Sequence, residues 1–169
     1  MIRLSANISV HNMNMLLNLL FPMLVLFLAC DEAKMASKIA DNSIKARVVS
    51  VEVSGSPQSY IFSVGISSPD TGCDQYADWW EVVDENGILI YRRILAHSHV
   101  SEQPFVRSGG PIGISDDQMV WVRAHMNTVG YGSQGFKGTI NGGFFSSELD
   151  DNFATELAQK EPLPDGCDF

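Results

Sequence analysis

The residues best suited to chemistry are three histidines in the second half of the chain, His97, His99 and His125. Alternate residues of a strand point to the same face, so His97 and His99 can present two imidazoles side by side. Zinc and copper accept imidazole nitrogen, and three imidazoles with one water form a known open site. The spacing therefore predicts a possible copper or zinc site on these residues, with Glu102 orienting one of the rings.

The alternative to metal binding is that the same histidines have structural roles. His97-Ser-His99 can lie in a loop whose imidazoles bond to Glu102, to Asp78 or to backbone carbonyls. In an immunoglobulin-like strand order, one strand separates the strand that ends near His97 from the strand that carries His125. The metal site is therefore the second functional hypothesis, behind a noncatalytic binding role.

No catalytic residue is predicted, because the sequence contains neither a GxSxG nor an HExxH motif. Residues 130–135 match the letters of the glycine-rich dinucleotide motif GxGxxG. Their position between two predicted strands leaves no helix N-terminus to meet a phosphate. We therefore expect a glycine-rich hairpin loop there. The sequence favours a protein that is not an enzyme, with a redox or hydrolytic metalloenzyme on the three histidines as the third hypothesis.

The charge balance argues against a nucleic-acid partner. The chain has 11 Lys and Arg against 20 Asp and Glu, for a formal net charge of -9. Only Arg3 of the basic residues precedes Cys30, so a chain starting at Cys30 is more acidic still. Such a surface lacks the basic stripe that neutralises phosphates. Residues 146–169 hold seven acids and one lysine, which predicts a solvated acidic tail.

The N-terminal segment carries an uncharged run, residues 15–29, that is apolar apart from Asn18 and ends at Leu26-Phe27-Leu28-Ala29-Cys30. The run is long enough for a signal-peptide core but short of the ~20 residues that span a bilayer. It resembles the precursors of bacterial lipoproteins, in which a Leu-x-Ala/Gly-Cys box is cleaved before a cysteine that becomes acylated. The alternatives are an ordinary cleaved signal, a membrane anchor and a buried helix.

The resemblance implies a signal peptide over residues 1–29, a lipid on Cys30, and a tether over residues 30–46. It also implies a place in the cell envelope, anchored in the membrane by the lipid and facing the periplasm or the exterior. In such an oxidising compartment, Cys73 and Cys167 form an even pair, which predicts a disulfide between them. Joining sites so far apart removes at most ~4–5 kcal/mol of unfolded-chain entropy. Two unpaired thiols are the alternative.

Residues 47–145 alternate apolar and polar side chains in about seven short runs separated by turn residues. Asn86-Gly87 between two such runs is the strongest hairpin signal. The pattern predicts an all-β domain, a two-sheet antiparallel sandwich that is immunoglobulin-like or fibronectin-III-like, with a small barrel as the alternative. We expect Ser108-Gly109-Gly110-Pro111 to separate two strands and residues 137–145 to form the last one.

Adjacent residues of a strand face opposite ways, so one of Trp79 and Trp80 is expected in the core and the other at the surface. Residues 73–82 and 95–105 resemble small exported bacterial domains, a likeness that implies no activity. The sequence thus favours a lipid-anchored, noncatalytic module that binds an envelope protein or a small ligand.

Overall fold

The segments of alternating apolar and polar residues form β-strands in the part of the chain that begins at Arg47. A computed structural model describes residues 32–37, 39–40 and 43–168. Within these residues lie nine strands and one 3₁₀ helix at Thr155–Gln159. The strands are β1 (Arg47–Ser56), β2 (Ser59–Ser67), β3 (Ala77–Asp84), β4 (Leu89–Ile94), β5 (Phe105–Ile112), β6 (Val120–Met126), β7 (Gly130–Tyr131), β8 (Gln134–Thr139) and β9 (Gly143–Glu148).

The strands form two antiparallel sheets. The smaller sheet has the order β1-β2-β5, and the larger sheet has the order β4-β3-β6-β8-β9, with β7 also paired to β6. The predicted all-β sandwich is confirmed. Its finer classification as immunoglobulin-like or fibronectin-III-like stays a prediction.

The core lies between the two sheets. Phe62 and Val64 of β2 and Trp80 and Val82 of β3 are fully buried in one hydrophobic cluster. Phe144 of β9 packs edge-on against Phe62, with ring centroids 5.5 Å apart. Trp80 is therefore the core tryptophan that the alternation predicts.

The glycine-rich segment 108–111 does not divide two strands as expected, because β5 runs through it and keeps pairing with β2. A Cβ added to Gly109 would lie 2.6 Å from Tyr91 Oη and 2.9 Å from Trp80 Cζ2. Glycine is thus required here by the close approach of β5 to two aromatic rings and not by a turn.

The last predicted strand, residues 137–145, is in fact a hairpin of β8 and β9. Its turn is held by two bonds, in which Asn141 N–H donates to the Asp116 carbonyl and Gly142 N–H donates to Thr139 Oγ1. Gly143 adopts φ +78°, which favours glycine. Because residues 144–145 extend the apolar pattern beyond the turn, the pattern predicted one continuous strand.

The chain divides into two units, Met1–Ile39 and Ala40–Phe169. In the first, residues 32–37 and 39 are helical and exposed. In the second, residues 40 and 43–44 are helical and Ala46 is buried just before β1. Across the described ranges no helix combines the length and apolar character needed to cross a membrane. The predicted signal peptide and Cys30 lie outside the described residues.

Candidate functional site

The predicted histidine pair does come together, in the loop that follows β4. The ring centroids of His97 and His99 lie 4.6 Å apart, with the planes tilted by 36°. His97 is exposed, whereas His99 is buried and stacks on Phe105 at 3.8 Å. Among the described residues neither ring nitrogen of His99 has a hydrogen-bond partner, and Nδ1 lies 4.0 Å from Asp70 Oδ2.

The backbone around His99 is fixed by Asp70. The Asp70 carboxylate accepts the N–H of His99 at 2.8 Å and the N–H of Ala77 at 3.0 Å. Burial lowers the pKa of His99, and the Arg107 guanidinium and the neighbouring His97 lower it further. The ring is therefore held in its neutral form in an apolar stack.

His125 lies in a different environment, on β6. Its Nδ1 lies 2.7 Å from Asp78 Oδ1, and its ring stacks on Trp79 at 3.6 Å. The larger sheet places β3 between β4, which precedes His97, and β6. Two strand spacings of about 4.8 Å thus separate the strands concerned.

The structure consequently does not assemble the predicted ligand set. In the described part of the chain, no group of three or more His, Cys, Asp or Glu residues is arranged to hold a metal ion. Glu102, predicted to orient a ring, instead binds Arg107, with 2.9 Å between Oε2 and Nη2. This bond lowers the pKa of Glu102.

The most developed polar arrangement lies on the outer face of the larger sheet and centres on Glu81. Both carboxylate oxygens are used, because Oε2 accepts from Arg92 Nε and Nη2 at 2.8 and 2.6 Å, and Oε1 accepts from Arg123 Nε at 2.8 Å. All three side chains are almost completely buried. The register places them in one row, since β3 pairs Glu81 with Arg92 of β4 and Arg123 of β6.

A segment that we name the C-terminal strap, residues 149–168, covers this row. Arg123 donates to the carbonyls of Phe153 and Ala154 at 2.6 and 2.8 Å. Arg92 donates to three further strap carbonyls, at 2.6 Å for Leu157, 2.6 Å for Lys160 and 3.0 Å for Pro162. The two arginines therefore neutralise Glu81 and hold the backbone of the strap at the same time.

Aromatic rings complete this cluster. The guanidinium of Arg92 lies 4.3 Å from the ring centroid of Trp79, and that of Arg123 lies 3.6 Å from the ring centroid of Tyr131. Burial and the nearby Glu81 raise the pKa of Tyr131. The expectation that the outward tryptophan lies at the surface is wrong, because Trp79 is buried by its aromatic and cationic neighbours on this face.

A disulfide between Cys73 and Cys167 joins the far end of the strap to the loop before β3, with 5.6 Å between the Cα atoms. Beside it, Asp168 N–H donates to the Ala96 carbonyl at 2.6 Å. The tail predicted over residues 146–169 is therefore not simply solvated. Its first residues belong to β9, and Leu157 is buried on the sheet.

The role of Arg123 and Tyr131 was missed from the sequence. One signal was available, because Arg123 alternates with apolar residues on β6 and therefore had to face away from the core. The partner that it meets on that face comes from a distant segment. No local pattern identifies such a contact.

Comparison with known proteins yields one partial likeness. A protein of Halomicrobium mukohataei, described as "Putative lipoprotein", is 41% identical over 91 residues, which are 53% of this chain and 45% of that protein. The chain thus spans less than half the length of this relative. No protein-family model matches the chain, and no solved structure matches it.

Proposed function

We propose that this chain is a lipid-anchored extracytoplasmic β-sandwich that acts as a noncatalytic binding module of the cell envelope. The anchor is a lipid on Cys30, added after removal of residues 1–29. Residues 30–46 then connect the anchor to the sandwich. The module contacts an envelope protein or a small ligand, facing the periplasm or the exterior.

Two observations support the location. The apolar run that ends in Leu28-Ala29-Cys30 has the form of a lipoprotein signal. The partial relative carries a lipoprotein description, although the match covers only part of each chain.

The observation that carries the proposal is the strap bound to the outer face and closed by the Cys73–Cys167 disulfide. Disulfides of this kind form in oxidising compartments outside the cytoplasm. The buried charges of that face, Glu81, Arg92 and Arg123, are used to hold the strap. Because these charged groups hold the strap, they favour a structural role in a stable, displayed domain over a catalytic role.

Replacement of the acylated cysteine tests the anchor. Cys30→Ser should block lipid addition and either release the protein from membranes or leave an unprocessed precursor of larger mass, because a single acylated site supplies the anchor. Fractionation, gel mobility and metabolic labelling with a fatty acid measure these effects. Cys73→Ser is the matched control, since it removes a cysteine without removing the anchor. If Cys30→Ser stays in the membrane fraction at the mature size, the anchoring proposal fails.

A second candidate function, copper or zinc binding, is favoured by the ring nitrogens of buried His99, which have no hydrogen-bond partner among the described residues, beside exposed His97. These two imidazoles would provide part of a coordination sphere, and His99 would have to turn out of its stack on Phe105. Calorimetric titration of the protein with each metal tests this. Binding should be lost in His97→Ala and kept in His125→Ala, and binding that ignores His97→Ala would reject the pair as ligands.

A further inference from the structure

The strap is attached to a sandwich that is complete without it. The main core cluster draws on both sheets and contains no strap residue. The buried strap residues Ala154 and Leu157 belong to a separate small cluster with Val83. Displacement of the strap would therefore open the outer face while leaving the core between the sheets packed.

An empty outer face would be unfavourable. Glu81 balances only one of the two buried arginines, and five strap carbonyls accept further hydrogen bonds from the two guanidinium groups. Loss of the strap would also expose Val83 to water. The face consequently requires an occupant that supplies backbone carbonyls together with apolar side chains, as Ala154 and Leu157 do in the strap.

A second copy of this chain supplies that occupant. Its strap offers the same carbonyls and the same Leu157 side chain, so the contacts made within one chain can be made between two. Exchange of an identical element between protomers is a low-cost route to a dimer, because it adds few new requirements to the interface.

The disulfide decides whether exchange can occur. While Cys73 and Cys167 of one chain are joined, the end of the strap is tied to its own domain. A dithiol reductant converts this disulfide to two thiols by supplying two electrons and two protons, and it becomes a disulfide itself. The strap is then held by noncovalent contacts alone.

We propose that reduction of the Cys73–Cys167 disulfide allows two copies of this chain to exchange their C-terminal straps, each outer face binding the strap of the other copy. This deepens the proposed function by naming the partner of the module. Lipid anchoring would favour exchange by raising the local concentration of copies. Reoxidation by a disulfide oxidant, which takes up two electrons and two protons and becomes a dithiol, would join Cys73 of one copy to Cys167 of the other.

Complementary single-cysteine variants test the exchange. Full-length Cys73→Ser and Cys167→Ser chains, both also Cys30→Ser and kept in mild detergent, are differently tagged, mixed and mildly oxidised. Neither can form the disulfide within one chain, whereas an exchanged pair joins Cys167 of the first variant to Cys73 of the second. We expect a covalent heterodimer in excess over either homodimer, identified by mass spectrometry of its disulfide peptide. The Cys30→Ser background makes this result independent of lipid anchoring.

A strap variant separates exchange from chance contact between thiols. Leu157→Asp in both chains should remove the excess of heterodimer over the homodimers, because the cost of burying an unpaired carboxylate releases the strap from either face and leaves the thiols to pair by chance. Phe145→Asp is the matched control, since Phe145 is exposed and lies outside the strap. An absent heterodimer, or an excess over the homodimers that persists with Leu157→Asp, overturns the proposal. Should a variant fail to fold, the unmodified chain, reduced and reoxidised at rising concentration, must yield a dimer with the same disulfide between chains.

Discussion

Replacement of Arg123 by methionine tests whether the charged row beneath the strap stabilises the domain. Methionine keeps much of the length of the side chain and removes the guanidinium. Glu81 Oε1 then loses its donor at 2.8 Å, and the carbonyls of Phe153 and Ala154 lose theirs. Glu81 keeps both bonds from Arg92, so the carboxylate stays paired.

The structure sets the size of the effect. Breaking a buried ion pair by removing one partner costs ~3–5 kcal/mol. Because Arg92 still neutralises Glu81, the lower end applies. Most of the loss comes from two hydrogen bonds at ~1–3 kcal/mol each, since the Phe153 carbonyl loses its arginine donor and the Ala154 carbonyl keeps only the Leu157 N–H at 3.3 Å. We therefore expect Arg123→Met to lower the free energy of unfolding by about 3 kcal/mol. The corresponding fall in Tm is roughly 10 °C for a domain of this size.

Urea titration followed by tryptophan fluorescence measures the free energy, and calorimetry measures Tm. Arg107→Met is the matched control, because Arg107 pairs with Glu102 at the surface, where their side chains are 27% and 57% exposed. A surface pair contributes ~0–1 kcal/mol. If Arg123→Met destabilises the protein no more than Arg107→Met, the row beneath the strap does not have the structural role assigned to it.

Three further predictions concern other parts of the molecule. Gly138→Ala should destabilise the β8–β9 hairpin by ~1–3 kcal/mol in urea titration, because the new Cβ would lie 2.0 Å from the Gly143 carbonyl oxygen. Stability should fall as the pH drops below about 6.5, since burial lowers the pKa of His99 and the unfolded chain binds the proton more readily. His99→Phe keeps the stack and should reduce this fall in Tm. Cys167→Ser should lower the free energy of unfolding by up to ~4–5 kcal/mol, the entropy of the closed loop, and nonreduced digests should show Cys73 joined to Cys167 only in the unmodified chain.

Each of these has a control or a contrary outcome. Gly113→Ala should be tolerated, because its nearest neighbour atom would lie 3.5 Å from the new Cβ. An equal effect of Gly113→Ala and Gly138→Ala would contradict the steric argument. A pH profile of Tm unchanged by His99→Phe would assign the acid sensitivity to other groups. Free thiols at Cys73 and Cys167 in the oxidised protein would reject the disulfide.

Much of the fold could be predicted, because the formation of a strand and the face to which each of its side chains points depend on the local sequence. Alternation along β1 and β2, and the Asn86-Gly87 hairpin, depend on neighbours within a few residues. Prediction failed where the same local sequence is compatible with either a turn or a strand. Gly109-Gly110 has the composition of a turn but lies within β5. The absence of a side chain at Gly109 leaves room for the rings of Tyr91 and Trp80.

The candidate site was less predictable, because its parts come from separate segments. The sequence determined that His97 and His99 are near each other and that Cys73 and Cys167 are an even pair. It did not determine which strands are neighbours. The tertiary structure alone placed β3 between the strands that lead to His97 and His125, and so separated the predicted metal ligands. It also brought the strap carbonyls to Arg92 and Arg123, which lie 30 to 70 positions away along the chain. Contacts over such separations depend on how the whole chain buries its charged and apolar groups, and not on any local spacing.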